Sequence, residues 1–338
     1  MLEAADPVRA AHLLYHCRLA VASRLEDMGL PRLGLSSSPP DVSSCPPQPN
    51  SAASTYGALL SRASPSDRQR LLESADTAAS AWLLAPRTGD TQLSSPVFAD
   101  ALCLRLGLNT LPAESLCPLH CIPCDARGHH ALSCQLVQGH VTDRHDLLVD
   151  GLVAEVVGVD SCARNLAAER RAEYLRLLAS GVPESVAREV RAASTTRPGD
   201  FTFRLGGPGQ PLSFYDVTVC NSLTDSALLV ASKNPLCGHT ADGAVSEAAH
   251  DKDCKHLADV ASAGGLFHPL AVSVLGFWDR TSLACIYRIC ACTGPRKGLP
   301  ASSAAHALLA SLSCALMRGN HSVLHATRSP QPPRPVPA

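Results

Sequence analysis

Apolar residues recur at helical spacing along most of this chain and alternate in only a few short stretches. Residues 8–29 carry Leu13, Leu14, Leu19, Val21 and Leu25 on one helical period. A second pattern starts at Ser64-Pro65, with Ser64 as N-cap, Pro65 at the first helical position and Asp67 in the first turn. It continues through Leu71, Leu72, Ala75, Ala79, Trp82 and Leu83. Ser95-Pro96 repeats the start signal before VFADALCLRLGL, and Gly107 should end that helix. Further helices are expected over residues 144–157, 163–179 and 244–263, and a last one over 301–317, ending near Gly319. Alternation appears in FTFRL, with Phe201, Phe203 and Leu205 on one face. GGPGQP then reads as a turn and LSFYDVTV as the returning, antiparallel strand. HPLAVSVLGFW predicts a third strand. The pattern implies an α+β chain with no internal repeat.

Two stretches break the pattern. SSSPPDVSSCPPQPNSAAS has the composition of a linker, and SPQPPRPVPA that of an extended or disordered tail. The chain therefore divides into an N-terminal helix (1–30), a Ser/Pro-rich linker (31–65) and a helical region (66–112). A Cys/His-rich stretch (113–140), a strand-bearing core (141–295), a C-terminal helix (296–320) and a disordered tail (321–338) follow.

Composition narrows the function classes. Aromatics are only 4% of the 338 residues, so the core must be built from Leu, Val and Ala. A formal charge of −1 argues against a polycation that coats nucleic acid, but not against a local basic groove. From Arg318 onward there are three Arg, two His and no acid, which predicts a weak, salt-sensitive nucleic-acid contact in the tail. MLEAADPVRAAHLL lacks the apolar core of a secretory signal, and no run of about 18 apolar residues predicts a membrane span. With 15 Cys and no export signal, a reducing compartment, nuclear or cytoplasmic, is expected. The thiols are then buried apolar groups or metal ligands.

CIPCDARGHHALSC concentrates those donors. Cys121 and Cys124 form a CxxC, followed by His130 and Cys134, a spacing that lets a short loop close four ligands around one zinc ion. Cys117, His120 and His129 compete for places in the set, and purely structural cysteines are the plainer reading. A second constellation has Asp200 before the first strand, Asp216 within the next, and Lys252 and Lys255 in the helical DKDCKHL. Two carboxylates on neighbouring strands can hold a divalent cation, and an ammonium can stabilise charge on a phosphate. Asp200 also reads as a turn residue and the lysines as a solvated helix face. Asp216 shares a face with Leu212 and Phe214, where a carboxylate needs a partner.

WLLAPRT, LSSPVFADALCLRLGL, CIPCDARGHHALSC, RHDLLVDGL, RPGD, FYDVTV, KDCKH and FHPLAVSVLGFW occur in this order over roughly residues 80–320. The ordered set resembles the zinc knuckle and restriction-like endonuclease of the PD-(D/E)XK superfamily found in early-branching, site-specific non-LTR retrotransposons. Similar chains stand alone as reverse-transcriptase-associated proteins. The resemblance implies a helical N-terminal region, a small zinc knuckle and a core with a short mixed sheet flanked by helices. It makes Asp200 the acid of the "PD" motif, with Gly199 interposed. Asp216 becomes the second metal-binding acid, and the Val217 carbonyl a further magnesium ligand. Thr218 stands where the superfamily usually has lysine. Lys252, Lys255 and His256 match the K-x-x-K-Y-like pattern to which this branch moves it, with His256 at the tyrosine position. Glu155 is the candidate helical acid. The implied activity is Mg2+-dependent nicking of DNA, which leaves a 3′-hydroxyl for a reverse transcriptase upstream in the same polyprotein or acting in trans. DNA, and RNA with it, are the implied nucleic-acid partners. VFADA resembles a polymerase FADD box, but the second Asp is missing and a helix start precedes it. The alternatives are a catalytically decayed zinc-knuckle remnant that binds nucleic acid, and a structural zinc protein that binds none.

Overall fold

The computed structural model describes residues 60–112, 115–117, 122–134, 138–156, 163–164, 176, 180–183, 199–205, 209–233 and 243–328. The expected N-terminal helix, nearly all of the linker and residues 329–338 lie outside the described residues. Ser64 and Pro65 open helix α1 (Pro65–Ser74), the Ser64 side chain accepting from the Asp67 N–H. The periodicity runs on to Leu83, yet α1 stops at Ser74. Asp76 is the cause: its carboxylate takes the N–H groups of Ala78 and Ala79 at 2.8 and 3.1 Å, which diverts the backbone from helical bonding. A short α2 (Ala81–Leu84) follows and sets Trp82 edge-on against Phe98 of α3 (Ser95–Leu106). Gly107, at φ 71°, closes α3 in the left-handed conformation that its sequence position predicts.

The remaining elements are α4 (His129–Ser133), α5 (Gln138–Val156), β1 (Ala163–Arg164), β2 (Phe201–Phe203) and β3 (Ser213–Cys220), then α6 (Asp225–Lys233), α7 (Gly243–Ser262), β4 (Leu266–Ser273), α8 (Arg280–Thr293) and α9 (Ala301–Arg328). The fold is α+β and mostly helical. Its sheet has the order β1–β2–β3–β4, with β1 a two-residue edge. β1, β2 and β3 are antiparallel neighbours, whereas β3 and β4 run parallel, Asp216 opposite Pro269. Residues 163–164 were expected to begin a helix; pairing with Thr202 and Phe201 makes them strand instead. The third strand stops at Ser273 rather than reaching Trp278. There the Ser273 hydroxyl accepts from the Leu275 and Phe277 N–H groups, and Gly276 at φ 89° turns the chain back.

Strand alternation gives the sheet two distinct faces. Tyr215 and Val217 of β3, with Leu270 and Val272 of β4, pack on Leu148 and Leu152 of α5, Ile286 and Ile289 of α8, and Leu308, Leu312 and Leu316 of α9. The opposite face of β4 presents Ala271, which packs with Val245 and Ala249 of α7. Asp216 lies one residue from Tyr215 and therefore faces α7. Among the described residues no single helix is long and apolar enough to cross a membrane.

Helix α9 overruns its expected end. Gly319 lies inside it because α5 crosses there: a Cβ at Gly319 would come 2.6 Å from Cβ and 2.8 Å from Cα of Arg144. The interhelical contact outweighs the roughly 1 kcal/mol by which glycine disfavours a helix interior. Gly319→Ala should overpack the crossing and lower stability by about 1–3 kcal/mol. Urea unfolding checks this as a lower midpoint at unchanged slope. Residues 321–328 are accordingly helix rather than tail; His321 and Arg328 are engaged internally, and His325 is exposed. Arg328 grips Asp100 bidentately at 2.9 and 2.6 Å, and His321 Nδ1 lies 2.7 Å from the same carboxylate. Arg318 donates to the Gln92 carbonyl at 3.1 Å. The acid of VFADA thus fastens α3 to the end of α9.

Glu73 of α1 is fully buried, accepting from Ser273 Oγ at 2.6 Å and Gln69 Nε2 at 2.9 Å. Burial raises its pKa above the ordinary 4.5, and bonds from Ser222, Ser273 and Gln69 only partly offset this. A raised folded-state pKa contributes stability that is full below about 4.5 and declines as pH climbs toward the folded value. Glu73→Gln should therefore gain stability relative to the parent as pH rises above that point, as thermal melting across pH would register.

Candidate functional site

The Cys/His-rich stretch is built on a tight reversal. Leu116 and Pro123 form an antiparallel bridge, Cys117 N–H donates to the Ile122 carbonyl, and Cys124 N–H to that of Ser115, both at 2.8 Å. Cys117 and Cys124 flank this neck, and both are buried. Gly128, at φ 82°, packs so closely that a Cβ would meet Thr110 Oγ1 at 2.5 Å. α4 follows, its first N–H groups held by Asp125: His129 N donates at 3.0 Å and His130 N at 2.7 Å. This brings Cys117, His130 and Cys134 together, their ligand atoms all within 4.8 Å of one another. The sulfurs of Cys117 and Cys134 are 3.5 Å apart, a hydrogen-bond separation and not a disulfide. The cluster can hold a metal ion. Cys124, an expected ligand, is buried on the same neck but is not part of that group of close ligand atoms; burial, then the neighbouring Cys117, Asp125 and Cys134, push its thiol up to about 11.

Cys117, which the spacing left as a competitor, is therefore a member of the cluster. Cys121 and His120 lie outside the described residues. His129 serves the packing of α4 instead, its carbonyl accepting from Asn221 Nδ2 at 2.7 Å and tying the helix to the end of β3.

The acidic constellation forms where the chain enters β2. Gly199 has φ 93°, and a Cβ there would sit 2.7 Å from the Tyr215 carbonyl oxygen. The interposed glycine thus has a steric reason: only glycine lets the backbone lie this close to β3. Asp200 N–H then donates to the Tyr215 carbonyl at 2.6 Å, and Asp200 Oδ2 accepts from Val217 N–H at 2.7 Å. From α7, Lys252 Nζ reaches both oxygens of Asp216 at 2.9 and 3.0 Å. His256 Nε2 stands 3.5 Å from Asp216 Oδ2, its ring against Phe267. Lys255, expected beside Lys252, is exposed, and His256 is the second α7 side chain on Asp216. Positions 255 and 256 both neighbour 252 on the helix surface, and it is 256 that faces Asp216 while 255 faces solvent. Glu155 belongs elsewhere. It bonds Thr293 and Lys297, joining α5 to the end of α8.

The sequence reading missed His145. Its Nε2 lies 3.0 Å from Asp200 Oδ2 and 3.2 Å from the Val217 carbonyl, while Nδ1 lies 3.1 Å from Asp146 Oδ1. Its signal was RHDLLVDGL, one of the pieces that carry the resemblance, in which the histidine was given no role. Arg144 beside it is buried, donating to Asn320 Oδ1 at 3.0 Å and to the Leu132 carbonyl of α4 at 3.4 Å. Three consecutive residues of α5 therefore join the Cys/His cluster, helix α9 and the acids.

Electrostatics separates the two aspartates. Burial pushes Asp200 up, but His145, the Val217 N–H and Lys252 outweigh it and hold the carboxyl below its usual range. Burial and then the charge of Asp200 raise Asp216, against the pull of Lys252 and His256. Burial disfavours charge on His145, yet Asp146 and Asp200 overcome it and lift the imidazole to about 10. Carboxylate and carbonyl oxygens are the donors that hard divalent cations take; among the described residues, the His, Cys and acidic side chains whose ligand atoms gather closely enough for one ion are Cys117, His130 and Cys134, and Asp200 and Asp216 are not among them. Comparison of the chain with protein-family models, curated proteins and solved structures finds no match.

Proposed function

We propose that this chain is a divalent-cation-dependent DNA endonuclease with a zinc knuckle, of the PD-(D/E)XK kind carried by non-LTR retrotransposons. The observation that carries the reading is the arrival of Lys252 on Asp216 beside Asp200 and the Val217 carbonyl, from a helix outside the strand that usually supplies the lysine. A short mixed sheet between helices agrees with it. So does the close packing of Gly199, which gives the altered "PD" a structural reason rather than one of decay. Asp200, Asp216 and the Val217 carbonyl would hold Mg2+, which supplies Lewis-acid polarisation of the scissile phosphate and an acidified water. Hydrolysis that breaks the P–O3′ bond, with water adding to phosphorus and a proton passing to O3′, would leave a 5′-phosphate and the 3′-hydroxyl a reverse transcriptase extends. Lys252 offers its ammonium to the charge that develops on the phosphate oxygens, and Asp216 holds the ammonium in place. Cys117, His130 and Cys134, with Cys124 or Cys121 as fourth ligand, would bind zinc. Sulfurs on a tetrahedral zinc lie about 3.8 Å apart, close to the Cys117–Cys134 separation.

Supercoiled plasmid with Mg2+ tests the reading. The parent should produce open circles, and Asp200→Ala and Asp216→Ala should not. DNA binding without nicking by the parent would instead support the decayed remnant, and the absence of both a structural zinc protein.

A further inference from the structure

We infer that His145 is a ligand of the catalytic cation, which makes the site a mixed nitrogen–oxygen one that prefers a transition metal to magnesium. The inference rests on the endonuclease reading for the site's purpose, but its own support is geometric. Nε2 of His145 faces two acceptors at once, Asp200 Oδ2 at 3.0 Å and the Val217 carbonyl at 3.2 Å. Neighbouring ligand atoms on an octahedral cation with bonds near 2.1 Å lie about 3 Å apart. Nε2 thus already stands from each of the two oxygens at the spacing of adjacent ligands, and the three atoms come from three separate elements: α5, the approach to β2, and β3. The far side of the ring is held as well. Asp146 Oδ1 lies 3.1 Å from Nδ1, the carboxylate–histidine arrangement that orients metal-bound imidazoles. Arg144, one residue earlier, is pinned to Asn320 and α4, so the turn of α5 that carries the ring is fixed from both sides. When a cation binds, the Nε2 proton passes to solvent and the ring nitrogen replaces it as donor. Adding imidazole to carboxylate and carbonyl oxygens favours first-row transition ions over Mg2+.

The test uses the zinc-loaded full chain, so that the cysteine cluster is filled, with Mn2+ as probe and Mg2+ as competitor. Pulsed electron paramagnetic resonance should detect a directly bonded imidazole nitrogen on Mn2+. Mn2+ should bind at least about tenfold more tightly than Mg2+. His145→Ala should lose the nitrogen coupling and weaken Mn2+ binding more than Mg2+ binding, so that the selectivity falls. His145→Asp should restore Mn2+ binding without the coupling. Three results would overturn the inference: no Mn2+ binding, bound Mn2+ without nitrogen coupling in the parent, or His145→Ala binding Mn2+ as tightly as or more tightly than the parent. The last would mean that the ring obstructs the site. Should His145→Ala fail to fold, the coupling in the parent still decides. Nicking on the same samples separates the two readings. Coupling without nicking retains the ligand and removes the endonuclease; nicking without coupling does the reverse.

Discussion

Lys252→Ala should lose plasmid nicking by a factor on the order of 10²–10³, while folding and DNA binding survive. Lys252 is the only lysine among the described residues that an ion pair joins to either acid. Thr218, at the usual lysine position, has no charge to offer. Removal of an ammonium aimed at developing phosphate charge costs transition-state stabilisation rather than ground-state binding, so the loss should appear in turnover. Folding should tolerate the change because Asp216 already has a raised pKa and can accept a proton. Lys255→Ala should be mild, since that side chain is exposed. His256→Ala should fall between them, its ring being 3.5 Å from the same carboxylate. Nicking rates, fluorescence anisotropy with DNA and circular dichroism make the comparison. A Lys252→Ala protein that nicks like its parent would remove the migrated-lysine mechanism.

The second large effect is expected at the cysteines. About one zinc per chain should be found by elemental analysis, and Cys117→Ser or Cys134→Ser should lose it. Structural zinc contributes roughly 10–16 kcal/mol of apparent binding free energy in small metal domains, which under the proposed zinc reading would be coupled to folding. Ala131 and Leu132 of α4 pack with Leu111, Val323 and Leu324, so chelation should expose that cluster and open α4 to hydrogen exchange. Cys124→Ser and Cys121→Ser, side by side, identify the fourth ligand: the one whose loss lowers zinc content is in the set. Full zinc retention by Cys134→Ser would overturn this site.

What the sequence disclosed follows from the range of the forces involved. Ser64-Pro65, Gly107 and the FTFRL/LSFYDVTV pair were legible because caps, turns and alternation act over a few residues. The end of α1 was not, because one carboxylate, Asp76, competes with the helix. The end of α9 was misplaced because Gly319 reports a contact with α5, not a local preference. At the acids, chemistry and spacing picked out the two carboxylates and the two lysines, and the resemblance favoured Lys252 and put His256 at a tyrosine position; positions three and four beyond Lys252 are both its neighbours on a helix, so facing alone could not choose between Lys255 and His256. His145 stayed hidden: its partners are Asp200 and Val217, 55 and 72 positions away. No local pattern carries that pairing.

The parallel pairing of β3 with β4 bears on how the protein reaches its active form. Residues 221–265 must first cross over before Ser213–Cys220 can meet Leu266–Ser273, and α7, with Lys252, lies inside that crossover. Closing a segment of this length is entropically slow relative to hairpin formation, so β2–β3 should form well before β3–β4. An intermediate in which β2–β3 is paired carries Asp200 and Asp216 without the lysine that meets Asp216. Under the proposed function, nascent or partly refolded chains would hold both acids and cut nothing, and strand cleavage would be a clock for the last step of folding.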